Sequence, residues 1–233
     1  MYLFKPLDTH YDQGFGAIAD SFQASATVLK EQYNRSSLNG HLPICYLYRH
    51  SIELFLKGSI IIVHQGLKIP YGTEPYTSDP KISINGKLRS IFNIHEINVL
   101  YKYLSNILAE NKSELVNIYF SWEFSDDLAL KIEQLDEIDL SSAYFRYPVD
   151  KKTDIYKKGK SAFKETTVKN IMNFAMQNKE PMKTMKILYT TGQGESVFVH
   201  DDSFTEEVMI ILEEVADELE TCHFALMRTI GSE

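Results

Sequence analysis

Residues 42–65 have an unusually apolar helical pattern. At about 100° per residue, apolar side chains cover more than half of the helix circumference. They are Ile44, Cys45, Leu47, Tyr48, Ile52, Phe55, Leu56, Ile62 and Val63. Because one partner helix cannot cover so wide a surface, we expect a central helix that contacts both the N-terminal and the C-terminal helix. The remaining arc is a narrow polar stripe of Tyr46, Arg49, His50, Glu53, Lys57 and His64.

Apolar residues at three- and four-residue steps predict further helices. The predicted ranges are 10–33, 97–111, 128–138, 168–175 and 203–226. We expect the first of these to form an antiparallel hairpin with the central helix. Asn93 with Glu96, and Ser203 with Glu206, match the capping pattern of helix starts.

Two short β insertions interrupt the helical pattern. Asn85-Gly86 lies between two short runs in 81–90 and indicates a tight hairpin. A second hairpin is predicted from 187–191 and 196–200, joined by a glycine-rich turn. The chain therefore predicts one mainly α domain over residues 1–233, an antiparallel bundle with insertions at approximately 66–92 and 150–202.

Composition fits a globular protein, since 44% of residues are hydrophobic and 24% are charged. No apolar run reaches the roughly 18 residues of a membrane helix, and the N-terminus lacks a signal-peptide pattern, which predicts a cytoplasmic protein without membrane contact.

Cys45 and Cys222 lie in apolar helical patterns and are expected to be reduced thiols. The seven histidines lack metal-binding spacing, so neither a metal nor a cofactor is predicted.

Charge is unevenly distributed in a chain whose net charge is −8. Seven lysines lie between Lys151 and Lys169, whereas nine acidic residues and no basic ones lie between Asp201 and Glu220. The lysine-rich stretch favours a solvated loop. It could also follow a phosphate backbone, with Lys157 and Lys158 as candidate binding residues.

The polar stripe has two interpretations. Glu53 is four residues from both Arg49 and Lys57, a spacing at which opposite charges pair along a helix. The stripe is then a structural edge stabilised by ion pairs. Alternatively, Arg, Lys and His beside a carboxylate can bind an anion and move a proton, which would make the stripe a ligand site.

Three segments carry a family resemblance. YLYRHSIELFLKGSI at 46–60 resembles the second helix of HEPN domains (higher eukaryotes and prokaryotes nucleotide-binding), with its His and Glu-x-x-x-Lys. HEINVLYKYL at 95–104 resembles the family's His-Asp-Leu helix start, with Glu96 where Asp is usual. YFRYPVD at 144–150 resembles its Arg-Tyr-Pro element. The resemblance covers roughly residues 10–150 and implies a HEPN-like helical bundle.

The resemblance also implies a function in a toxin–antitoxin or phage-defence setting, with RNA or a nucleotide as ligand. It implies a homodimer and an antitoxin or nucleotidyltransferase-like partner. Two function classes stay open: a binding or interaction module, which we favour, and a metal-independent endoribonuclease. The candidate catalytic residues are Arg49, His50, Glu53, His95 and Arg146, and the candidate binding residues are Lys57, Tyr147, Lys157 and Lys158.

Catalytic HEPN proteins carry an Arg, four to six residues, and then a His, which cleave RNA without a metal. In this chain Arg35 and His41 have that spacing, with five residues between them. Their position departs from the family, where the motif follows the Arg-Tyr-Pro element. Arg35 and His41 are therefore a rival to the stripe.

Overall fold

A computed structural model of the chain describes residues 6–33, 40–118, 124–139, 145, 163–166, 169, 172–173, 176, 197–200 and 203–231. The helices are α1 (Phe15–Glu31), α2 (His41–Gly66), α3 (Ile97–Glu110), α4 (Lys112–Ile118), α5 (Leu128–Ile138) and α6 (Ser203–Thr229). The strands are β1 (Lys81–Ile84), β2 (Lys87–Ser90), β3 (Phe163–Thr166) and β4 (Val197–His200). The prediction of a mainly α fold with small β insertions is confirmed.

Helix α2 is the centre of the bundle, and every residue from Ser51 to His64 is buried. Helix α1 runs antiparallel to it, since Phe22 contacts His50 and Thr27 contacts Tyr48. The predicted helical hairpin is therefore present. Helices pack against α2 from several directions, and together they cover the apolar surface that extends around most of it.

Helix α6 runs parallel to α2 on another side, so the predicted antiparallel arrangement holds for the pair α1 and α2 but not for α2 and α6. The Tyr48 hydroxyl lies 3.2 Å from a Glu213 oxygen, and the Ser59 hydroxyl lies 3.3 Å from Nδ1 of His223. The predicted contacts of the central helix with both terminal helices are thus confirmed. Helix α6 begins at Ser203, where the capping pattern predicts a helix start. Its apolar stripe faces the core, with Val208, Leu212, Val215, Leu219 and Leu226 buried.

Helices α3 and α5 complete the bundle. Helix α3 lies along the length of α2, parallel to it, because His64 contacts Tyr103 while Glu53 contacts His95 just before α3 begins. Helix α5 packs on both α3 and α6. The apolar residues predicted to face the core of α3 and α5 are buried: Ile97, Leu100, Leu104, Ile107, Leu128, Ile132 and Leu135.

The hairpin β1–β2 forms where Asn85-Gly86 predicts a tight turn. Ile84 pairs with Lys87, and the two turn residues Asn85 and Gly86 have φ values of 50° and 76°. Positive φ at both positions is the conformation that favours an Asn-Gly turn between twisted strands. The insertion 66–92 therefore contains the hairpin that the sequence predicts.

The predicted Asn93–Glu96 capping pair is wrong. Asn93 ends a short 3₁₀ turn, and Glu96 is itself the N-cap of α3, without a side-chain capping bond. The backbone is extended at Ile94 and Glu96, so the helix starts later than the pattern suggests. The Glu96 carboxylate instead accepts a hydrogen bond from the backbone N–H of His95 at 3.1 Å.

The second insertion, 150–202, is described at few positions. Strand β4 confirms the strand predicted at 196–200, but it pairs antiparallel with β3, so Phe163 lies opposite His200. The predicted partner at 187–191 lies outside the described residues. Because β3 belongs to the lysine-rich stretch 151–169, the favoured interpretation of that whole stretch as a loop is wrong at 163–166. Of the predicted helix 168–175, residues 169 and 172–173 have helical backbone.

Among the helices of the described part of the chain, none is both long and apolar enough to cross a membrane. Cys45 is fully buried and Cys222 is partly buried, and both are free thiols, as predicted. Burial raises the pKa of the Cys222 thiol to about 12, and it raises that of Cys45 as well, so both are protonated at neutral pH.

Candidate functional site

A buried ionic cluster on one side of α2 contains part of the predicted site. The Arg49 guanidinium donates through Nη1 to Oε2 of Glu53 at 2.5 Å and through Nε to Oδ2 of Asp139 at 2.9 Å. The Lys57 ammonium lies 2.8 Å from Oε1 of Glu53. The four side chains are between 3% and 5% exposed. The spacing of four residues that suggested ion pairs along α2 therefore produces them in the interior.

His95 links this cluster to the surface. Its Nδ1 lies 3.0 Å from Oε1 of Glu53, while its side chain is 54% exposed. Nη2 of Arg49 donates to the backbone carbonyl of His95. Glu53 therefore fixes the imidazole and Arg49 fixes the main chain of the same residue. Because an ionised carboxylate only accepts hydrogen bonds, Nδ1 of His95 is the donor to Glu53.

The charges around Glu53 keep it ionised. Burial acts to raise the pKa of Glu53, but the positive charges of Arg49 and Lys57 and the hydrogen bonds from Lys57 and His95 bring it below its ordinary value. Two cations and the carboxylates of Glu53 and Asp139 balance one another. This balance is the condition under which buried charges are tolerated, because an unpaired charge in the interior is strongly unfavourable.

Asp136 lies at the edge of this region, where Nδ2 of Asn98 is 3.5 Å from its Oδ2. Burial raises the pKa of Asp136 above its ordinary value. Asp136 also interacts electrostatically with Arg49, Lys102 and Glu96, and Glu96 follows His95 in the sequence. Charges of both signs therefore lie beside the cluster.

His50, although adjacent to Arg49 in sequence, packs in another direction. Its ring makes an edge-to-face contact with Phe22 of α1, with centroids 4.7 Å apart, and stacks on Tyr46 at 5.7 Å. Successive residues on a helix differ by about 100° in direction, which explains why the two neighbours face different helices. The structure brings together Arg49, Glu53, Lys57 and His95.

The other predicted site residues are only partly described. Arg146, Tyr147, Lys157 and Lys158 lie outside the described residues, as does Arg35 of the rival pair. His41 of that pair is buried in the first turn of α2, with 5% of its surface exposed.

Asp139 is a member of the cluster that sequence reasoning missed. It is the C-cap of α5 and lies 90 residues from Arg49. No local spacing connects the two residues. The available signal is indirect: a central helix with two basic residues and one carboxylate in its polar stripe needs a further carboxylate from a neighbouring element.

A second buried polar cluster joins α1, α2 and α6. Nε2 of His223 lies 3.2 Å from Oδ2 of Asp12, and Nδ1 of His223 lies 3.3 Å from the hydroxyl of Ser59. The order carboxylate, imidazole, hydroxyl is that of a nucleophilic triad. However, the three residues are at most 1% exposed, so a substrate could not reach the hydroxyl without rearrangement. We interpret this cluster as a structural link between three helices.

Asp12 also fixes the start of α1. Its carboxylate accepts hydrogen bonds from the backbone N–H of Gly14 at 3.0 Å and of Gly16 at 2.6 Å. Burial acts to raise the pKa of Asp12, but the hydrogen bond and charge of His223 and these two backbone donors lower it below the ordinary value of 3.8. The residue is therefore a buried carboxylate at neutral pH.

This lowered pKa predicts acid sensitivity. A carboxyl group whose pKa is lower in the folded than in the unfolded state stabilises the fold above the ordinary value and loses that effect as the pH falls through the folded value. We expect Asp12→Asn to reduce the dependence of unfolding free energy on pH below about 4, by at most about 1.4 kcal/mol per pH unit. Urea unfolding between pH 2 and 7 measures this. An equally steep dependence in the variant would contradict it.

Within the described ranges, no group of three or more His, Cys, Asp and Glu side chains is arranged to bind a metal ion. No protein-family model matches the chain, and no curated protein and no solved structure matches it.

Proposed function

We propose that the chain is a HEPN-like module that binds RNA or a nucleotide in a toxin–antitoxin or phage-defence setting. The setting and the ligand class come from the resemblance of 46–60, 95–104 and 144–150 to HEPN domains. The observation that supports a site on this chain is His95. It is half-exposed, while Glu53 and Arg49 in the interior fix both its side chain and its main chain.

Binding is favoured over cleavage because the basic residues of the cluster are buried and paired with carboxylates. Metal-independent cleavage of a phosphodiester needs a cation at the developing negative charge. Arg49 and Lys57 are buried and already paired with carboxylates, so contact with a phosphate would require them to leave Glu53 and Asp139. The cluster therefore supports a role in positioning His95.

The second candidate function is a metal-independent endoribonuclease. One observation favours it: an exposed imidazole whose Nδ1 is hydrogen-bonded to a carboxylate is an arrangement suited to general acid–base chemistry. In that case His95 would transfer the proton and Glu53 would orient it. By the family resemblance, Arg146 would be the cation that contacts the phosphate.

The test is to incubate the purified full chain with tRNA and total RNA in the presence of a chelator. Binding is measured by gel shift and cleavage by denaturing gel. We expect binding without cleavage, and a loss of affinity of about 2- to 13-fold in His95→Ala, corresponding to one hydrogen bond of about 0.5–1.5 kcal/mol. His50→Ala is the matched control and should bind as the wild type does, because His50 faces α1.

Cleavage that His95→Ala abolishes would replace the binding function with the endoribonuclease. Absence of both binding and cleavage for tRNA, total RNA, ATP and GTP would overturn the proposal. The homodimer and the antitoxin or nucleotidyltransferase-like partner are further proposals. Light scattering at tens of micromolar tests the homodimer.

A further inference from the structure

The hairpin β1–β2 presents basic side chains on one face of its second strand. Lys87 and Arg89 are both exposed and two residues apart in β2, so they point to the same face. Leu88 points to the opposite face and lies against Gly72. The cross-strand neighbours of Lys87 and Arg89 are Ile84 and Ile82, and Ile82 is fully buried, so the two cations lie on the exposed strand of a face whose other strand packs on the core.

Phe92 lies two residues after this strand and is half-exposed. Its surface is 46% exposed, and its ring is tilted against that of Phe15, with the centroids 5.7 Å apart. Nη2 of Arg89 lies 3.5 Å from the carbonyl oxygen of Asn93, which brings the guanidinium to the turn that contains Phe92. His95 comes three residues after Phe92, so their Cα atoms are at most about 10 Å apart.

The local charge differs from that of the whole chain. Residues 80–95 contain three basic residues and no carboxylate, with Asp79 and Glu96 on either side, although the net charge of the protein is −8. Lys81 pairs with Glu74 at 2.7 Å, whereas Lys87 and Arg89 are exposed. We name Lys87, Arg89 and Phe92 the hairpin strip.

We propose that the hairpin strip binds an unpaired segment of RNA, with one base stacked on Phe92 and the neighbouring phosphates beside Lys87 and Arg89. This inference rests on the proposed function and specifies the form of its ligand. An exposed aromatic ring next to cations is the arrangement that proteins use for single strands, because every base offers a flat face to stack on. In a duplex the base faces are already occupied by neighbouring bases, so Phe92 favours unpaired RNA.

The test is fluorescence anisotropy of the full chain with a labelled 12-nucleotide uridine oligomer and with a 12-base-pair RNA duplex. The wild type should bind the single strand more tightly than the duplex. Phe92→Ala should weaken single-strand binding by about 5- to 150-fold, the range observed when one base loses its stacking partner. Phe92→Leu keeps the apolar volume without the aromatic face, and should also weaken binding.

The cations give a second measurement. Lys87→Gln and Arg89→Gln should each reduce the slope of log affinity against log salt by about 0.7, the value for one phosphate contact on a single strand. Leu130→Ala, a change at another exposed apolar residue on α5, is the control and should leave the affinity unchanged.

Equal affinity for single strand and duplex would overturn this inference, as would wild-type affinity in Phe92→Ala. If the single strand binds and His95→Ala weakens it while the Phe92 variants do not, the proposed function stands and the hairpin strip is excluded. If the wild type binds none of the RNA and nucleotide probes, both the inference and the proposed function fail.

Discussion

Arg49→Ala should lower the free energy of unfolding by about 3–5 kcal/mol, the usual effect of removing one partner from a buried ion pair. The change removes from the interior the guanidinium that contacts the carboxylates of both Glu53 and Asp139. It also removes the donor that fixes the carbonyl of His95. Urea denaturation monitored by far-ultraviolet circular dichroism measures the loss.

Arg89→Ala is the matched control, since it removes the same side chain from an exposed strand position. Exposed substitutions of this kind change the unfolding free energy by about 0.5 kcal/mol or less. If Arg49→Ala left the stability unchanged while abolishing RNA binding, Arg49 would be a ligand-binding residue and the structural interpretation of the cluster would be wrong. Any loss of binding in Arg49→Ala should instead follow the unfolded fraction.

The fold could largely be predicted because its strongest signals are local. The apolar residues of α2, α3 and α6 recur at helical spacing, and this periodicity decides both the helix and its buried side. Asn85-Gly86 likewise specifies a turn through backbone conformation at two adjacent residues. Such features require no knowledge of the rest of the chain.

Helix starts and strand partners were harder to predict. Asn93 and Glu96 have suitable side chains for a capping pair, but the extended backbone at Ile94 and Glu96 delays the start of α3. Strand β4 was expected at its position, whereas its pairing with β3 depends on which distant segment comes alongside it. Both outcomes are set by tertiary contacts that spacing along the chain does not encode.

In the candidate site too, local contacts could be predicted and contacts between distant segments could not. The pairing of Glu53 with Arg49 and Lys57 follows from the four-residue spacing on one helix. Asp139 could not be identified, since it approaches Arg49 only through the packing of α5. His50 and Arg49 belong to the same polar stripe of the sequence pattern, but α1 covers the side of the stripe on which His50 lies.

The two interpretations of the stripe are therefore compatible. Arg49, Glu53 and Lys57 form a structural network, and the same network positions an exposed imidazole. A buried, charge-balanced cluster restricts the orientations of His95 more than a solvated one could, because alternative arrangements leave charges unpaired. On our proposal, a rigid interior thus supports a ligand-binding surface.

Phe55→Ala should lower the free energy of unfolding by about 3–5 kcal/mol, the usual range for deleting an aromatic side chain from a packed core. Phe55 is fully buried on α2, and its ring centroid lies 5.5 Å from that of His223 on α6. The cavity would therefore open where α2 meets α6, beside the link formed by Asp12, Ser59 and His223. Phe92→Ala, the same truncation at a half-exposed ring that contacts Phe15, should lower stability by clearly less. Equal effects of the two substitutions on the urea midpoint would show that α2 is not the centre of the core.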